Sequence, residues 1–153
     1  MIRSILVFVM FMAIVPGCSS MKPDSLGVKS GRLSPCPDSP NCVSSQSSDD
    51  DHYIAPLLFA GPVATARQKL IAAVSRMKRA RIITREPSYL HVEFRTAVFR
   101  FVDDVEFLFD EKEHTIQIRS ASRVGYSDLG VNRRRVEKIR DLFGKESGTL
   151  LSR

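Results

Sequence analysis

The sequence predicts an α+β domain: a four-stranded antiparallel sheet with two helices packed on one face. Three observations carry that prediction. Apolar residues at helical spacing stand at both ends of the region, as Leu70, Ile71, Val74 and Met77 and as Val136, Ile139, Leu142 and Phe143. Between them lie four strand-like runs, Arg81–Arg85, Tyr89–Thr96, Arg100–Phe109 and Thr115–Ser122. The breaks between the runs are too short for a crossover, so neighbouring strands must run antiparallel.

The elements follow in order. Ala64 to Arg81 reads as the first helix. Pro62 suits its start, and the cations Arg76, Lys78 and Arg79 are expected in its final turn, where they complement the helix dipole. The breaks fall at Glu86-Pro87-Ser88, near Ala97-Val98, and at Asp110-Glu111-Lys112-Glu113. In the second run Leu90, Val92 and Phe94 alternate with His91, Glu93 and Arg95; in the fourth, Ile116 and Ile118 alternate with Gln117 and Arg119. One face of the sheet is therefore apolar and the other polar. Val131 to Phe143 reads as the closing helix, with Asp128 as its candidate N-cap and Gly144 as its stop. These elements define a domain over residues 51–144, followed by a frayed tail over 145–153.

The segment before the domain has a different texture. Arg3 precedes Ile5–Val15, an eleven-residue uncharged apolar run. That is shorter than the roughly 20 residues a bilayer span needs, and it suits the apolar region of a secretory signal. Val15-Pro16-Gly17-Cys18-Ser19 follows and resembles the bacterial lipobox, with Pro16 an uncommon residue in that pattern. The resemblance implies that residues 1–17 are a signal peptide and that Cys18 carries diacylglycerol and an amide-linked acyl chain (palmitate is a typical one), which together anchor stably. Ser19 after the cysteine then favours the outer membrane in a cell with two membranes. Residues 18–50 are rich in Ser, Pro, Gly and Asp and read as a flexible tether. With Cys18 acylated, Cys36 and Cys42 remain as an even pair in an exported chain, which reads as one disulfide closing a small loop. A redox or metal pair is the alternative; the spacing is not C-x-x-C and no histidine is near. Asp49-Asp50-Asp51 reads as a solvated acidic turn.

Composition narrows the function classes. The chain has 153 residues, 43% hydrophobic and 26% charged, which excludes a disordered chain, a collagen-like repeat and a multi-span membrane protein. Lys and Arg number 23 against 17 Asp and Glu, a net charge of +6; without residues 1–17, 22 basic and 17 acidic residues leave +5. That density, in an exported chain, argues against a nucleic-acid partner. No G-x-S-x-G, H-E-x-x-H, P-loop or dinucleotide-binding motif is present. His52, His91 and His114 lack metal-ligand spacing, and a histidine on the polar face of a strand reads as solvent-exposed. Neither a metal nor another cofactor is expected. Phe94, Phe99, Phe101, Phe107 and Phe109 read as core.

Two stretches could carry chemistry. Asp103, Asp104 and Glu106 place three carboxylates on one strand, with Asp104 and Glu106 on a shared face. Arg119 and Arg123 sit where a neighbouring strand would bring them to those carboxylates as paired forks. Tyr126, Asp128, Asn132 and Arg133 lie where a Gly-containing loop enters the last helix. One reading is a cross-strand ion-pair network that fixes geometry. The other is a polar pocket, in which paired carboxylates serve acid–base work or Arg123, Tyr126, Asn132 and Arg133 hold an anion at a helix start.

These residues carry a family resemblance. Cys36-Pro37, Ser39-Pro40-Asn41-Cys42-Val43-Ser44-Ser45, Ile54-Ala55-Pro56-Leu57, Phe101–Phe107 and Arg119–Arg133 together resemble the bacterial and plastid family catalogued as domain of unknown function 1499, over about residues 33–143. The resemblance implies no activity and no catalytic residues. The leading expectation is a lipid-anchored protein on the periplasmic side of the bacterial envelope that acts as a binding or interaction module, with an anionic ligand or an envelope protein as partner. The alternatives are an enzyme on a small anionic or envelope substrate, and a structural envelope component.

Overall fold

A computed structural model describes residues 21–149. The expected signal peptide and Cys18 lie outside the described residues, as do residues 150–153. The chain forms, in order, β1 (Val28–Lys29), β2 (Arg32–Leu33), β3 (Cys42–Ser44), β4 (Leu57–Leu58), α1 (Val63–Ser75), β5 (Ala80–Arg85), β6 (Tyr89–Arg95), β7 (Val102–Asp110), β8 (Thr115–Ser122) and α2 (Val131–Thr149). The architecture is α+β, and the four expected strands are present as β5 to β8, paired antiparallel in sequence order.

The sheet is larger than expected. It has six strands in the order β3-β8-β7-β6-β5, with β4 also paired to β8. Strands β3 and β4 share the free edge of β8: Cys42–Ser44 pair with Ala121–Arg119, and Leu57–Leu58 pair with Ile116–Thr115. Two- and three-residue strands are too short to show alternation, and their presence follows from the edge of β8, whose unpaired backbone groups need partners. A separate hairpin of β1 and β2 precedes them. Residues 21–50 are therefore not a free tether. Asn41, Cys42, Val43 and Ser44 are all buried, and the Cys36–Cys42 disulfide joins β3 to the segment before it.

Both helices depart from expectation at their C-terminal ends. Helix α1 stops at Ser75, so Arg76, Lys78 and Arg79 fall beyond its last turn, and Arg79 turns the chain with φ of 61°. Gly144 does not stop α2 and has no positive φ, and the helix continues through the expected tail to Thr149. An ion pair between Arg76 and Glu146, at 2.9 Å, ties the added turn to the end of α1.

The core lies between the helices and one face of the sheet. Leu70, Ala73 and Val74 of α1 and Val136, Ile139, Leu142 and Phe143 of α2 meet Leu90, Val92, Val105, Phe107, Ile116 and Ile118. Ile139 is fully buried, whereas Leu58 is 74% exposed. Ile139→Ala is expected to lower unfolding free energy by about 2–5 kcal/mol through lost burial and a residual cavity. Leu58→Ala should change it by less than about 0.5 kcal/mol. Urea denaturation of both variants checks the contrast.

Candidate functional site

The second face of the sheet is polar, as the alternation predicts, but it is not open to water. Side chains alternate along β7, so Val105 and Phe107 face the helices while Asp104 and Glu106 face away. Register then builds rows across the sheet. His91, Glu106 and Arg119 stand opposite one another, and Glu93 and Asp104 stand in the next row. The segment before β3 covers these rows. Strand β2 buries Leu33, the Gly27 amide donates to Glu106 Oε1 at 2.7 Å, and Leu33 donates to Gln46 Oε1 at 2.9 Å.

Burial forces pairing, and each carboxylate of this face has its partners. Glu106 has no solvent exposure and accepts from the Gly27 amide, the Tyr89 hydroxyl at 2.8 Å and Arg119 at 3.2 Å. Asp104 accepts a two-pronged bond from Arg123, both prongs at 2.7 Å, and a bond from His91 Nε2 at 2.7 Å. Arg123 reaches on to Glu93 at 2.6 Å. Burial pushes the Asp104 carboxyl up, and the bonds from Arg123 and His91 outweigh it, leaving the group below its usual range. The Asp104 bonds hold the Arg123 guanidinium all the more firmly protonated. Burial, then the adjacent Glu106 charge, push the Tyr89 hydroxyl well above its ordinary value.

Asp103 is not part of this face. It lies on the helix side and pairs with Arg135 of α2, whose guanidinium also stacks over the Phe94 ring at 4.9 Å. Asn132 is buried beside it. It accepts from Ser120 at 2.6 Å and donates to the Asn41 carbonyl at 2.9 Å, so it fastens α2 to β8 and to the chain entering β3. Asp128 accepts from the amides of Gly130 and Asn132 at the start of α2. Arg133 donates to the carbonyls of Tyr53 and Asp51, and Tyr126 is 77% exposed. The anion site expected from Arg123, Tyr126, Asn132 and Arg133 is thus not assembled: Asn132 is spent within the fold, and Arg133 and Asp128 line a different cavity, of about 510 Å³, with Asp49, Asp51 and His52.

Sequence reasoning missed Tyr89, His91, Glu93 and Arg135. His91 is fully buried, against the expectation of an exposed histidine. The signal was present in the polar positions of β6, but it becomes a site only once a cover lies over that face. Phe99 and Phe101 are exposed, against the expectation that they belong to the core.

One part of the face remains accessible. A cavity of about 390 Å³ opens between the covering segment at Pro23, Leu26 and Pro35 and the floor at Asp104, Arg119 and Arg123. Among the described residues, two buried nitrogens of the network have no hydrogen-bond partner, Arg119 Nε and His91 Nδ1. An unsatisfied buried donor costs about 1–3 kcal/mol, and Arg119, which lines this cavity, carries one. Among the described residues no group of histidines, cysteines and carboxylates is placed to hold a metal ion.

Arg123→Ala should destabilise the protein by about 3–5 kcal/mol, because it strands Asp104 and Glu93 under the cover. The pH dependence has a definite sign. A carboxyl held low in the folded state contributes stability above its unfolded value of about 3.9 and loses it as pH falls through the folded value. Asp104→Asn should therefore flatten the acid limb of the stability curve. His52 behaves oppositely. Its hydrogen bond to Asp49 raises its pKa, so that contribution is complete below about 6.5 and is lost as pH rises through the folded value. Thermal denaturation between pH 2 and 9 measures both limbs.

A family model described as "Protein of unknown function (DUF1499)" matches residues 32–143, which spans β2 to most of α2 and includes every residue of the buried polar face. No curated protein matches the chain.

Proposed function

The chain belongs to the DUF1499 family, and from its residues we propose a lipid-anchored binding module of the bacterial cell envelope, holding a small ligand between the covering segment and the polar face. The anchor reading rests on the apolar run Ile5–Val15 and the lipobox-like residues before Cys18. The Cys36–Cys42 disulfide supports an oxidising compartment on the periplasmic side of the membrane. Ser19 favours the outer membrane where two membranes exist.

The observation that carries the binding reading is Arg119. It lines the cavity, is 5% exposed, and keeps an Nε–H without an acceptor. The ligand it calls for is one with an acceptor oxygen, such as a carboxylate or phosphate. Three carboxylates, Glu93, Asp104 and Glu106, already face three guanidiniums, Arg95, Arg119 and Arg123. The cavity therefore selects for hydrogen-bonding shape more than for bulk charge. The same pairing argues against an enzyme. A general acid needs a carboxyl held near the working pH, and Asp104 is held low instead. A structural envelope role is the second reading, favoured by how completely the carboxylates are paired.

The two readings separate in thermal unfolding of the full chain with a panel of small carboxylates and phosphates. Binding predicts a raised midpoint, equivalent to about 2.7 kcal/mol at a hundred times Kd. Arg119→Lys keeps a cation beside Glu106 but removes the Nε–H, and it should abolish the rise. No shift with any compound would leave the structural reading. Mass measurement of the mature N-terminus tests the anchor separately, since acylated Cys18 must be its first residue.

A further inference from the structure

The end of the sheet where β6 turns into β7 carries an exposed aromatic tip. Thr96 and Phe101 close the hairpin, with the Thr96 amide donating to the Phe101 carbonyl at 2.9 Å and the Phe101 amide donating to Thr96 Oγ1 at 2.9 Å. At the tip Val98 is 79% exposed and Phe99 is 74% exposed, and Phe99 stacks on Phe101 with ring centroids 5.5 Å apart. Large apolar side chains gathered on an exposed turn cost free energy by standing in water, and such clusters mark interaction sites.

The surroundings of the tip specify the partner. Lys78 and Arg79 from the turn after α1, Arg95 beside the tip, Arg100 within it, and Arg134 from the first turn of α2 form a basic collar. Among the described residues no carboxylate pairs with Lys78, Arg79, Arg100 or Arg134; Arg79 and Arg134 donate only to backbone carbonyls. The covering segment enters at the same end, since Pro23 and Leu26 line a cavity with Asp104 and Arg123, two residues into β7 and one past β8. Cys18 stands five residues before Pro23, within roughly 17 Å of extended chain. That last point rests on the proposed anchor; the tip and its collar do not.

We propose that this end of the domain docks on an anionic lipid bilayer, with Val98 and Phe99 entering the interface and the collar resting on lipid phosphates. Apolar side chains that enter the headgroup boundary inside a ring of cations are the two terms of interfacial membrane binding. Docking would fix the domain on the membrane and hold the cavity at a set height above it.

The sequence contains no Trp, so a single replacement gives an unambiguous reporter. Phe99→Trp in the full chain, reconstituted in vesicles containing phosphatidylglycerol and brominated lipid, should emit to the blue and be quenched by bromine. Leu58→Trp reports the opposite end of the sheet, where Leu58 pairs with Thr115, and should do neither. Arg79→Glu with Arg134→Glu should remove most of the quenching of the Phe99→Trp reporter. Equal quenching of both reporters, or none at Phe99→Trp, would overturn the proposal. So would a blue emission at Phe99→Trp that is already complete without vesicles and rises with protein concentration, which reports a second copy of the chain covering the tip. The readout holds whether the chain is tethered by acyl chains or by its apolar run, and it involves no ligand of the cavity.

Discussion

Glu106 is a carboxylate with no contact with water, and such a charge is tolerable only when every acceptor position is met. Its three partners come from three parts of the chain: Tyr89 from β6, Arg119 from β8, and the Gly27 amide from the segment before β1. The two strand contacts hold side chains on one face across three strands. The third pins a loop-rich segment over that face. If this carboxylate were exposed, the cover would lose its anchor point, and the sheet would be a half-solvated layer of the ordinary kind.

The consequence is a three-layer arrangement from one alternating pattern. One face of the sheet meets the helices through apolar packing, and the other is covered by residues 21–37, which the Gly27 amide bonds to Glu106. The two layers differ in what they can support. On the helix side the buried carboxylate of Asp103 is held by Arg135. Among the described residues the covered side is satisfied except at Arg119 Nε and His91 Nδ1. A network of this kind specifies geometry more than it adds stability, because burying each charge offsets much of what pairing gains. It thus gives a rigid, polar floor to a cavity whose roof is a short segment held by few bonds.

Much of the fold was legible in the sequence for simple reasons. Strands β5 to β8 and both helices carry five or more residues of clear period, and period survives any tertiary context. Strands β1 to β4 do not, since two or three residues cannot show a period, and Ser and Pro around them mimic a linker. The pairing of Asp104 and Glu106 with Arg123 and Arg119 followed from period two and strand adjacency. Asp103 was expected in the same polar cluster; the structure turns it to the helix side, where it pairs with Arg135, because side chains alternate along β7. What could not be read was the cover. Without it His91 looks exposed and the polar face looks like a surface; Phe99 and Phe101 were misread for another reason, since they stand at the hairpin tip, away from the core that buries Phe107. Long-range contacts such as Gly27 to Glu106 have no local signature.

Amide hydrogen exchange at Gly27 reads the hold of the cover on the polar face, since that amide is the bond between cover and floor. Gly27 should exchange far more slowly than a free peptide, and Glu106→Gln should accelerate it while the amides of β7 stay protected. Exchange of Gly27 at the free-peptide rate in the unaltered chain, with β7 fully protected, would mean that the polar face is open and that Glu106 does not hold the cover.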